Sequence, residues 1–440
     1  MQAHPDIAGL SIRTAAAAGN VEAVQRHLAA NPACATTCIP PDFTPPLIYA
    51  VESSIKRAMD VPSEQHVAIV RALLDAGATP NVVVTLPDNA GQIPALYFPS
   101  IVGNVPVARM LLEHGASPTD GESLYHAAQH DQREILALLQ AFGADLSRSP
   151  DGATSSPLYF LASHRASNPI SASVVGGMHW LLEHGANPNV ALSRISDGQS
   201  SSQLGEHPLH RVVASGFGAD VVELLVKHGA TVDAARADGR SAYQLALRTG
   251  NASAATALQS LGAATASATP TDHFLAACLA GREEEARGLL ALAPDLMTTL
   301  DDEAQRAIFP VLDEGRDEVL HLMLSLGWPL TIESEWGGTP LHWAAWNGRT
   351  SLVLDLLARG APVNQRDSRY GSSPIAWAAH GSRFSQRGDP TAYPAIVTEL
   401  IAAGASHAAA INRWGEPPER LATDSVRMVL MSRGFVTAVP

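Results

Sequence analysis

A glycine placed to stop a short helix returns at Gly216, Gly250, Gly281, Gly315 and Gly348, at intervals of 34, 31, 34 and 33 residues. A second glycine, followed each time by alanine, recurs at Gly77, Gly115, Gly143, Gly185, Gly229, Gly262, Gly360 and Gly404. Self-similarity at a period near 33 dictates a stack of one small unit, because such a unit cannot bury its apolar face alone. The unit is clearest between Gly338 and Ala361. Thr339-Pro340 opens a helix there, since proline at the first helical position has a preset φ and loses no needed N–H. Leu341, Ala344 and Ala345 form a narrow apolar face that lets a neighbouring helix come close. Asn347-Gly348 suits a left-handed cap. Leu352, Val353, Leu356 and Leu357 fall at helical spacing on a second helix, which Gly360 stops.

The chain has 440 residues, more than the roughly 250–300 a single closed core accommodates, so a linear array or several domains is expected. No run of 18 or more apolar residues indicates a membrane span. Met1-Gln2-Ala3-His4-Pro5-Asp6 lacks a basic segment leading into an apolar one, so no secretory leader is expected. A formal charge of −14 argues against nucleic acid or anionic lipid as the main ligand. Lysine is confined to Lys56 and Lys227 while arginine and alanine abound, the bias of a GC-rich, bacterial coding genome. Cys34, Cys38 and Cys278 are too few for a disulfide framework and fit a reducing, cytoplasmic setting. Cys34 and Cys38 have the spacing of half a metal site, but no second Cys/His pair lies at zinc-ligand spacing nearby. Two small loop residues is the simpler reading.

Proline opening the first helix and Gly-Ala closing the second, at this period, resemble the ankyrin repeat rather than the tetratricopeptide or HEAT-type units. The resemblance runs from about Ala8 to Arg433, as about eleven repeats and a C-terminal cap. It implies an all-α ankyrin-repeat α-solenoid with short β-hairpin fingers and a concave surface that recognises proteins. Two sets of repeats are expected, 1–263 and 271–440, stacked continuously across the small-residue stretch Ala264 to Thr269. The eighth repeat, from Phe274, reads as a capping repeat that lacks a Thr-Pro opening. Pro99 is expected to kink the first helix of the third repeat. The second, fifth and eleventh repeats carry 11, 8 and 10 extra residues between their two helices, and another insertion spans Ser193 to Gln203. Such loops mark contact surfaces or simply tolerated length.

Seventeen histidines raise the question of catalysis. His210 and His342 belong to Pro-Leu-His elements and are expected to hydrogen-bond the backbone of an adjacent turn. His114, His184 and His228 precede Gly-Ala near helix C-termini, where a cation is favoured. His-Glu-x-x-His, Gly-x-Ser-x-Gly, a phosphate-cradling glycine loop and Cys-x-x-Cys are all missing. The pairs Gly176-Gly177 and Gly337-Gly338 are weak signals on their own. No catalytic residue, metal site or cofactor is expected, and the protein reads as a non-enzyme. Asn81, Asn189 and Asn364 are expected to make local bonds within their fingers.

The sharper signal lies in the last fingers. Trp336, Tyr370 and Trp414 occupy the same repeat position, each followed by glycine, and stacking would place the rings in a row. In the ankyrin family that position lies on the finger and contacts partners. Tyr and Trp are enriched in binding hot spots, whereas the plainer alternative has each ring packing on its own finger. Arg369 and Arg413 precede two of the rings, and Trp346 is expected on the adjoining inner-helix surface. Trp343 and Trp377 align with an inter-repeat core position and read as packing. Asp301, Asp302 and Glu303, with Asp313 and Glu314, suggest an acidic patch for a basic and apolar partner, or a solvated face. The expected function is a non-catalytic scaffold or binding protein. A secreted effector that engages a host protein is the alternative within this fold, and an enzyme or metal-binding protein using the insertions is the alternative outside it.

Overall fold

The computed structural model describes residues 9–37, 44–52, 63–85, 91–148, 155–194, 203–387 and 389–435. They gather in two compact units, Met1–Leu245 with Ser253–Thr265, and Ala246–Ala252 with Ala266–Pro440. Both are built from antiparallel pairs of short helices.

In the second unit Pro340–Trp346 pairs with Thr350–Ala358, and Pro374–Phe384 with Tyr393–Ala402. Thr339 caps the first of these in extended backbone, with Pro340 in the first turn and a reciprocal bond to His342. Gly348 follows the C-cap at φ +66, the left-handed turn that only glycine adopts without strain. Leu341, Ala344, Ala345, Leu352, Val353 and Leu356 are all buried, which is the face that the spacing marks out.

Each histidine of a Pro-Leu-His element is a structural tie. His342 Nδ1 accepts the Thr339 N–H at 3.1 Å while Nε2 donates to the Ser372 carbonyl at 3.1 Å. His210 repeats this, accepting from the His207 N–H and reaching the Ala234 carbonyl at 2.8 Å. Burial disfavours the charged imidazolium and pushes both groups down to about 4. Below the ordinary histidine value of about 6.5 the unfolded chain takes up protons that the fold refuses. The stability these groups contribute is therefore complete above that value and is lost between it and about 4. Each costs the fold about 1 kcal/mol per pH unit in that window. Denaturant midpoints should fall steadily from pH 7 to pH 5, and His342→Gln should remove one proton from the slope.

The asparagines do more than local bonding. Asn81 donates to the Gly115 carbonyl and accepts the Ser117 N–H, both at 2.8 Å. Asn189 does the same with Gly229 and Thr231, and Asn364 with Gly404 and Ser406. Each side chain thus ties its own finger to the turn that closes the next repeat. A one-dimensional sequence pattern shows the residue type but not that partner.

Strand content is small. Among the described residues the ladder is the antiparallel pair β1 (Val83–Thr85) and β2 (Gln92–Pro94), with one isolated bridge between Ala235 and Ser241. The last fingers are instead tight turns held by side chains. Pro99 falls third in a helix that starts at Tyr97, where the missing N–H has no intrahelical acceptor to lose, so the expected kink has no cause. The eighth repeat does have its opening: Thr269 and Asp272 form a capping box around Pro270, and the helix runs Pro270–Leu279. The unit therefore starts at Thr269-Pro270, one turn before Phe274.

Insertions feed helices as well as loops. The inner helix of the eleventh repeat has 11 residues against 7 in the tenth, and the outer helix of the fifth has 13 against 9. Glycines at helix contacts, Gly177 of one pair and the single Gly381, serve packing. A side chain on Gly177 would begin 1.9 Å from the Ala128 carbonyl oxygen, and one on Gly381 would begin 2.4 Å from that of Trp346. Cys278 is buried and its thiol is pushed up to about 12. Cys34 donates to the His27 carbonyl, and Cys38 lies outside the described residues, as do parts of the insertions. Among the described residues no group of His, Cys, Asp and Glu is arranged to hold a metal, and no helix is long and apolar enough to cross a membrane.

Candidate functional site

The finger between the tenth and eleventh repeats is organised by a buried carboxylate. Asp367 accepts the N–H groups of Arg369, Tyr370 and Ser372, the Ser372 hydroxyl, and the Trp377 indole N–H at 3.0 Å. Burial alone would raise this carboxyl, but the bonds from Tyr370, Ser372 and Trp377 hold it below its ordinary value. The acid therefore fixes the turn and aims the tryptophan.

Trp377 is the hub of an aromatic cluster. Its ring meets His342 at 5.3 Å, Tyr370 at 6.0 Å and Trp346 at 6.2 Å in edge-to-face contacts, and Trp343 at 6.4 Å tilted. Edge-to-face geometry sets the positive ring edge on a neighbour's negative face and contributes beyond area burial. Gly338 makes room, because a side chain there would begin 2.6 Å from the Trp377 ring. Trp343 donates its indole N–H to the Ser334 hydroxyl at 3.0 Å. Tyr370 reaches Trp414 at 6.3 Å, and Trp346 reaches His380 at 5.3 Å.

Together these rings line a groove of about 460 Å³, walled by Trp336, Trp343, Trp346, Tyr370, Trp377 and Trp414, with Ser372, His380, Asn412 and Glu416 as polar members. Five of the seven tryptophans of the chain are here. Trp336 is 51% exposed and Trp414 64%, whereas Trp377 is 8% exposed, so the walls are open and the floor is packed. Burial pushes the His380 imidazole below its ordinary value, against the opposing pull of the Glu416 carboxylate. Rings in this arrangement present surface for stacking and apolar contact.

Trp336, Tyr370, Trp414 and Trp346, singled out from the sequence, all line this groove. Arg369 and Arg413 are not among the lining residues but stack on them. The Arg369 guanidinium lies 4.5 Å over Trp336 and 5.7 Å from Tyr370, and that of Arg413 lies 5.9 Å over Trp414. Arg413 also joins consecutive fingers through its N–H to the Tyr370 carbonyl and its side chain to the Ser368 carbonyl. Asp302 and Glu303 do not line the groove. They sit in a one-turn helix, Asp302–Gln305, capped by Asp301. Neighbouring acids are partly neutralised: Asp301 takes Arg248, Asp313 takes Arg387, and Arg316 approaches Glu314 at 3.6 Å. Trp343 and Trp377 do pack, as expected, but they are also groove floor. The available signal was the glycine pair Gly337-Gly338 set one repeat before a tryptophan.

The ankyrin repeat family model matches residues 204–236 and 336–368. Each segment holds one complete helix pair, Pro208–Ala214 with Ala219–Lys227 and Pro340–Trp346 with Thr350–Ala358. No curated protein sequence matches the chain. Among solved structures, the human ASB11 ankyrin repeat domain aligns at 23% identity and a TM-score of 0.39, over 56% of this chain and 96% of that one. Residues 204–236 and 336–368, by family-model match and by the helix pairs they form, are ankyrin repeats.

Proposed function

We propose that this protein is a non-catalytic binding or scaffold protein that holds a partner protein in the aromatic groove of its last repeats. Ankyrin repeats serve protein–protein interaction in general, and the observation that carries the narrower reading is the groove itself. Two half-exposed tryptophans and a tyrosine stand on successive fingers over a floor of packed indoles. Large, rigid aromatic surface of this kind costs little conformational entropy to order, which makes it the usual source of hot spots. A cytoplasmic setting accords with the free thiols of Cys34 and Cys278.

The test is recovery of partners from cell lysate by the full chain and by a Trp336→Ala/Tyr370→Ala/Trp414→Ala variant. Each truncation at a hot spot costs about 1–2 kcal/mol or more, so the triple variant should lose its specific partner. Equal recovery of the same protein by both chains would sink the proposal.

A further inference from the structure

We infer that the groove is a cage for a methylated ammonium group, carried on a modified lysine side chain of the partner protein. This rests on the groove reading above and adds the chemistry of the side chain that is gripped. Five tryptophans and Tyr370 line the groove, with Glu416 as the one carboxylate and no lysine or arginine among the lining residues. The last finger holds that carboxylate in place. Ser334, Asp367 and Asn412 take matching positions in three successive fingers, each accepting the backbone N–H two residues on. Ser334 and Asp367 also accept an indole N–H, from Trp343 and Trp377. Asn412 has an N–H of its own to give. It donates to a Glu416 carboxylate oxygen at 2.9 Å and accepts the Glu416 backbone N–H at 2.9 Å. Asn412 is buried, so the device that sets a tryptophan in each earlier finger sets an acid in this one.

The shape of the enclosure selects among cations. Neighbouring rings are inclined: Trp346 to Trp377 at 76°, Tyr370 to Trp377 at 67°, Trp343 to Trp377 at 52° and Tyr370 to Trp414 at 47°. Inclined π-faces surround a rounded cation on several sides, and each attracts it through its quadrupole. A planar guanidinium needs only one face, as Arg369 finds on Trp336 and Arg413 on Trp414. Neither arginine lines the groove, so the faces they cover are not the ones turned inward. An unmodified lysine ammonium is strongly hydrated and has three N–H donors to satisfy. The Ser372 hydroxyl and the Asn412 oxygen are already engaged within their fingers. Methylation removes those donors and wraps the charge in apolar surface, so aromatic faces replace the lost water at little cost. Charges outside the lining do not decide the sign, because Arg366, Arg369 and Arg413 are matched in number by Glu333, Glu335 and Asp367. The volume of about 460 Å³ has room for the head group and its methylene stem.

Five tryptophans in one groove make intrinsic fluorescence a direct reporter of occupancy. The full chain is titrated with blocked Ala-Ala-Lys-Ala-Ala trimethylated on its lysine, with the unmodified peptide, with its arginine counterpart, and with choline. The trimethyllysine peptide should bind about tenfold more tightly than the unmodified and arginine peptides. Glu416→Gln keeps an oxygen for Asn412 and removes only the charge, and should weaken the trimethyllysine peptide about three- to tenfold. An unmodified or arginine peptide that binds as well, an unchanged affinity in Glu416→Gln, or no response to any peptide overturns the inference. Choline binding as tightly as the trimethyllysine peptide would assign the cage to a free small molecule and overturns it too. The lysate experiment above decides the groove reading separately, because it depends on ring truncation and not on lysine methylation.

Discussion

Trp377→Ala is expected to destabilise the second unit by about 3–5 kcal/mol, the range for truncating a buried aromatic side chain. The indole is 8% exposed and touches four other rings. Its loss also removes one of the donors to the buried Asp367 carboxylate, so the finger that carries Tyr370 loosens with it. Trp377→Phe keeps most of the ring and deletes only that bond, and should cost about 1–3 kcal/mol. Trp336→Ala, on a half-exposed ring, should change stability by less than about 1 kcal/mol. Chemical denaturation of the three variants checks the order. A Trp377→Ala variant as stable as Trp336→Ala would remove the hub from the structure.

Arg248→Ala should cost a similar 3–5 kcal/mol for an electrostatic reason. The guanidinium is 5% exposed and bonds Asp272 at 3.1 Å and Asp301 at 2.6 Å, and Asp272 is itself 1% exposed. Deleting the cation strands a carboxylate in the interior, and an uncompensated buried charge is the most damaging result of breaking such a pair. Adding Asp272→Asn should restore much of the loss, because the amide oxygen still accepts the Thr269 N–H while no charge remains. Urea unfolding of the single and double variants measures this coupling. A double variant less stable than Arg248→Ala would show that Asp272 is not the stranded group.

The two variants also mark what sequence reading reaches. Helix pairs are legible because the signals are local: Thr-Pro at a start, glycine at a stop, leucines at helical spacing. The ties of His342 and His210 follow from the same short motif. Arg248 is different. Its partner Asp301 stands 53 residues along the chain, and no local pattern connects them, so Asp301 reads as part of an acidic surface. Asn364 escapes for the same reason, its partners lying 40 and 42 residues away. At the groove the exposed rings are legible because they recur at one repeat position. The floor is not, since Trp343 and Trp377 occupy core positions, and only three-dimensional packing opens one face of each to the groove.

Gly381 leaves no room for a side chain, since one there would begin 2.4 Å from the Trp346 carbonyl oxygen. The spacing between the last two full inner helices is thereby set at the minimum a backbone permits, and Trp346 rides on one of them. A residue far from any ligand therefore acts as the calliper of the cleft. Gly381→Ala should push the Trp346 backbone aside and reshape the cleft without altering the identity of any residue that lines it.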